Sequence, residues 1–154
     1  MSFSDKMRAS LGAEGARLEI TPPADGVTPG ASGLATVTIK GGTNPAHVDA
    51  LIVHLIGADR HWVDEAGAEI SEGDAMARDD RKGLTAGWTR VTVHEARVEV
   101  GVTVEAGAEH VVEVHTVVPE SATPSSPSYN YTLNVQADIK GQIDPTGNAR
   151  VRVG

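Results

Sequence analysis

Cysteine is absent from the 154 residues, which removes disulfides and every thiolate metal site from consideration. Aromatic residues make up only 3% of the chain, namely Phe3, Trp62, Trp88, Tyr129 and Tyr131. A carbohydrate site built on several aromatic platforms is therefore hard to assemble. The opening residues Met1-Ser2-Phe3-Ser4-Asp5-Lys6 are polar and lack the apolar stretch of a secretory signal. No run approaches the ~18 apolar residues of a membrane span. A cytoplasmic protein without a membrane span is expected. Positive charge is also short: 13 Lys and Arg against 21 Asp and Glu give a net charge of −8. A phosphate backbone would be repelled over most of such a surface, so no nucleic-acid partner is expected.

The usual signatures of chemistry are missing as well. There is no HExxH or His-x-His spacing, no P-loop and no GxGxxG. The Gly-x-Ser-x-Gly elbow of a serine nucleophile is absent. Asp74, Asp79 and Asp80 do not follow the alternating order of a calcium loop. Of the histidines His47, His54, His61, His94, His110 and His115, the last two have opposite strand parity and cannot share a sheet face. His54 and His94 would meet only if their strands pair. No catalytic residue, cofactor or metal site is expected, and the chain is read as not an enzyme.

What the sequence has is valine in alternation. A length of 154 residues suits one domain with a real core. Residues 1–12 read as a short amphipathic helix. Ser2 and Asp5 form a capping-box pattern, Phe3, Met7 and Leu11 recur on one face, and Gly12 ends it. Such a helix is marginal alone, so its apolar face either covers the sandwich's open edge or end or meets a partner or a membrane.

From Arg17 the period becomes two, and residues 13–154 read as a single β-sandwich domain. Strands are expected at 17–21, 34–40, 48–56, 88–94, 98–104, 112–118, 131–139 and 149–153, separated by turns such as Asp25-Gly26, Pro29-Gly30 and Asp144-Pro145-Thr146-Gly147. In the third of these, Leu51, Val53 and Leu55 share one side. Val48, Ala50, Ile52, His54 and Ile56 share the other, which suggests cover on both faces. Val91 and Val93 are expected to point inward. The stretch from about 57 to 86 lacks alternation and is rich in acidic residues, and reads as a long loop that is functional or mobile. Some of it could form a short helix or an extended hairpin, with Trp62-Val63 and Ile70 at its ends. Trp88, directly before a strand, is expected to pack in the core; exposed, it and Trp62 would serve a partner, since aromatic residues dominate interface hot spots.

The order of features resembles a known family. Leu18-Glu19-Ile20, Val27-Thr28-Pro29-Gly30 and the strand from Gly33 to Gly42 resemble the start of an arrestin-like domain. Val118-Pro119, Thr123-Pro124-Ser125 and the strand Tyr131–Ile139 resemble a later segment of the same domain. Lys6-Met7, Ala9-Ser10-Leu11-Gly12, Ile39-Lys40-Gly41-Gly42 and Ile139-Lys140-Gly141-Gln142-Ile143-Asp144-Pro145 look like the bacterial sporulation-control (stage-zero M) family. Members of that family continue with a second part that this sequence does not contain.

The resemblance implies an all-β, immunoglobulin-like (arrestin-like) antiparallel sandwich and a regulatory scaffold in a bacterial sporulation- or stress-related pathway. The basic polar core through which arrestins meet phosphorylated receptors has no match here, and that activity is not carried over. The expected function is a non-catalytic protein-interaction module, with Phe3, Met7, Leu11, Trp62 and Trp88 as candidate partner-binding residues and a homodimer through strand pairing. The alternative is a small-ligand- or carbohydrate-binding sandwich.

Overall fold

The computed structural model describes residues 15–154. The expected helix over 1–12, with Phe3, Met7 and Leu11, lies outside the described residues. Among those described, the chain runs β1 (Arg17–Thr21), β2 (Ser32–Lys40), β3 (Ala46–Val63), β4 (Glu69–Ile70), α1 (Glu72–Met76), β5 (Thr85–Val104), β6 (Glu109–Val117), β7 (Tyr129–Ile139) and β8 (Thr146–Val151). The strands form two antiparallel sheets. One has the order β1-β2-β6. In the other, β3 is central, with β5 on one side, β7 on the other and β8 beyond β7. No helix among the described residues is long and apolar enough to cross a membrane.

Alternating valines form the core because successive side chains of a strand point to opposite faces. Val37 and Ile39 of β2, Val114 of β6, and Leu133 and Val135 of β7 are fully buried between the sheets. The mixture is mostly β-branched and well suited to a pleated surface. Tyr131 is the largest buried side chain, and its hydroxyl donates to the Thr123 carbonyl at 2.6 Å. Burial, with a smaller effect of the adjacent Tyr129, pushes its phenol up to about 12.

Three expectations are corrected. Val48 is buried in the same core cluster as Leu51, Val53 and Leu55, not on the opposite face. The register shifts between Val48 and Ala50 against both neighbouring strands, and one extra residue turns the parity over. Ile52 and Ile56 do face the other way, but they are only half-buried. Val91 is half-exposed: it lies opposite Gly57, which offers it no side chain to pack on. Trp88 is 43% exposed and is not core; it pairs with Arg60 on the outer face.

The region from 57 to 86 is mostly not a loop. The strand runs on through Gly57 to Val63 and resumes at Thr85, so β3 and β5 form one long hairpin, paired from Ala46↔Val104 to Val63↔Thr85. The two strands expected at 88–94 and 98–104 are one, interrupted only by register shifts. At the tip, Asp64 accepts from the amides of Ala66 and Ala68 at 2.9 Å each, closing a turn into β4. Ser71 caps α1 by accepting from the Asp74 amide, with Glu72 and Asp74 in its first turn.

Candidate functional site

The outer face of the four-stranded part is assembled in rows by the pairing register. One row is Arg90–Ala58–Asn130; the next is Thr92–Ile56–Thr132–Arg150; the third is Glu95–His54–Asn134–Asn148. The central strands β3 and β7 contribute short side chains at Ala58 and Thr132. The flanking strands carry long ones, with Trp88 and Arg90 on β5 and Arg150 on β8. This difference in reach makes a groove of about 570 Å³, floored by Ile56, Ala58 and Thr132 and walled by Trp88, Arg90 and Arg150. That volume lies within the usual range for a ligand site. Asn130, Asn134 and Asn148 add carboxamides, and Asn134 Nδ2 donates to Asn148 Oδ1 at 2.7 Å.

The groove contains two guanidiniums and no carboxylate in a chain of net charge −8. Carboxylates nearby on this face have basic neighbours of their own. Glu72 is gripped by Arg60, which donates to both its oxygens, and by Trp62, whose indole N–H donates at 2.6 Å. The Arg60 guanidinium lies 5.5 Å from the Trp62 ring centre. The Arg60 hydrogen bonds hold the Glu72 carboxyl below its ordinary value. Arg97 reaches Glu99 at 2.7 Å and Asp138 at 3.8 Å, and His54 stands 3.5 Å from Glu95. Among the described residues, no such partner faces Arg90 or Arg150.

The candidate residues therefore separate. Trp88 is in the wall of the groove, half-open to solvent. Trp62 is on the same strand face, two residues beyond Arg60, but its N–H is committed to Glu72. Sequence reasoning missed Arg90, Arg150 and the three asparagines, because the groove joins β3, β5, β7 and β8 and only the pairing order brings them together. Among the described residues, no three His, Asp or Glu side chains converge as a metal would require. His94 lies opposite Leu55 rather than His54.

The chain is an antiparallel β-sandwich of the arrestin-like class, with its two sheets packed face to face. The chain belongs to the Spo0M (SpoOM protein) family of sporulation-control proteins, which it matches over residues 4–154. Among solved structures it is similar to Spo0M, the sporulation control protein from Bacillus subtilis, at 21% identity and a TM-score of 0.68. That match covers 93% of this chain and 50% of the other, so the chain spans about half the length of that relative. A second structure, of AvmM, described as catalysing macrocyclization in alchivemycin A biosynthesis, is 10% identical with a TM-score of 0.48; the match covers 93% of this chain and 90% of that one. No curated protein matches the chain.

Proposed function

We propose that this member of the sporulation-control family is a non-catalytic regulatory module of the cytoplasm that binds a partner protein through the outer face of its larger sheet. The observation that carries this reading is Trp88: a large aromatic side chain, 43% exposed, in the wall of a groove on a rigid sheet. Exposed indoles of this kind anchor protein interfaces, and a scaffold of paired strands spares the backbone an ordering cost on binding. The family assignment is consistent with a regulatory role.

Affinity capture from the producing cells with the intact chain and with Trp88→Ala tests it. A protein retained by the first and lost by the second is expected; an identical set of captured proteins would contradict it. A second reading, a saccharide site, is favoured by one feature, the exposed indole beside Asn130, Asn134 and Asn148. Thermal-shift screening with oligosaccharides distinguishes it, because a bound ligand raises the melting temperature in a concentration-dependent way.

Self-association by strand pairing is part of the proposal. It would use the outer edge of β5, the longest strand among the described residues. Register shifts interrupt that strand at two places, which leaves the segment 85–92 as its straight portion. Light scattering that shows only a 16.0 kDa species across a concentration series would remove this part.

A further inference from the structure

We propose that the groove takes an extended, carboxylate-rich segment of the partner protein, lying across the strands between Arg90 and Arg150. This rests on the protein-binding reading above and specifies its chemistry. Three observations carry it. First, the groove lining holds two cations and no anion although the chain as a whole carries −8. Second, the neighbouring carboxylates Glu72, Glu99, Asp138 and Glu95 each have an Arg or His beside them, whereas Arg90 and Arg150 have no acidic partner among the described residues. Third, the two arginines sit on the flanking strands β5 and β8, separated by β3 and β7.

Three interstrand spacings, with Arg150 one row along from Arg90, place their backbones about 16 Å apart. About five residues of extended chain cover that distance at about 3.3 Å each, and the reach of the two arginine side chains shortens it. A segment with acidic residues about four apart meets one guanidinium at each end, with fork geometry available to both carboxylates. Its middle lies over Ile56, Ala58 and Thr132, and Asn130, Asn134 and Asn148 offer amides to its backbone. The acidic remainder of the surface disfavours the same segment elsewhere, so the contrast in charge supplies selectivity as well as attraction.

Calorimetric titration of the full chain with a ten-residue Glu-rich peptide and with its Gln counterpart tests the inference. The Glu peptide should bind at least about tenfold more tightly at low salt, and the advantage should shrink as salt rises. The double variant Arg90→Glu/Arg150→Glu should lose at least about tenfold for the Glu peptide alone. Arg90→Gln/Arg150→Gln should lose less, and urea unfolding checks that both variants are folded.

Equal binding of the Gln peptide would overturn the charge argument and leave the protein-binding reading standing. Glu-peptide binding unchanged in both double variants would overturn the location. Binding of neither peptide would overturn the inference. If a neutral oligosaccharide then bound instead and Trp88→Ala abolished that binding, the protein-binding reading would fall with it.

Discussion

Along β7, Tyr131, Leu133, Val135, Ala137 and Ile139 point inward and are at most 3% exposed, while Thr132, Asn134 and Gln136 on the other side of the same strand stay partly open. The inner face is apolar and crowded; the outer face carries amides, hydroxyls and arginines over a shallow floor. One strand can thus serve two purposes, because side-chain alternation isolates the faces from each other. Substitutions on the inner face should change stability and leave recognition alone, and those on the outer face should do the reverse.

The largest effect expected is from Leu133→Ala, which removes a fully buried side chain from the inner face. Truncations of this kind cost about 2–5 kcal/mol, and urea unfolding should show it as a lower midpoint with little change in slope. Alkaline pH attacks the same face. The Tyr131 phenol titrates near 12 in the folded chain, above its ordinary value of 10.0. A raised pKa contributes stability that is complete below about pH 10 and is lost as pH rises through the folded value. Stability measured from pH 8 to pH 12 should fall, and Tyr131→Phe should flatten the fall.

A smaller change of opposite sign is expected at Thr116. It is 1% exposed, and its hydroxyl has no hydrogen-bond partner among the described residues. Thr116→Val removes an unsatisfied polar atom and should raise stability by up to about 1 kcal/mol.

The smallest global effect is expected at Glu72, which ties the hairpin tip to Arg60 and Trp62. Glu72→Gln should leave the unfolding midpoint nearly unchanged while hydrogen exchange quickens around 60–76. The pH dependence has a definite sign. With its folded pKa depressed, Glu72 contributes fully above the ordinary glutamate value of 4.5, and that contribution is lost as pH falls through the lower folded value. Trp62 fluorescence followed down to pH 3 reports it.

Much of the inner face was legible in the sequence, because burial imposes alternation. The rows Val37-Ile39 and Tyr131–Ile139 could be read directly, and they are core. The hairpin extension was legible only in part, as the alternative to a loop with Trp62-Val63 and Ile70 at its ends, where Trp62 does pair with Ile70. From Gly57 to Val63 and from Thr85 to Thr92 the chain has no buried row to enforce a period of two, and its tip is held by an Arg-Glu-Trp cluster instead. The parity error at Val48 came from a single inserted residue that leaves no mark in the hydropathy pattern. Trp88 was assigned to the core because hydrophobicity alone does not tell which face of a strand is covered. The groove lay beyond sequence reading because its rows depend on β3 sitting between β5 and β7. One signal was present: the outward positions 130, 134, 148 and 150 hold Asn and Arg rather than the Lys and Glu of an ordinary solvated face.

The central claim is that stability and recognition occupy opposite faces of one sheet. It is tested most directly by measuring both properties on the single variant Trp88→Ala. The account predicts an unfolding free energy within about 0.5 kcal/mol of the parent chain, together with loss of the captured partner. A variant that unfolds much more easily, or one that keeps its partner, would contradict it.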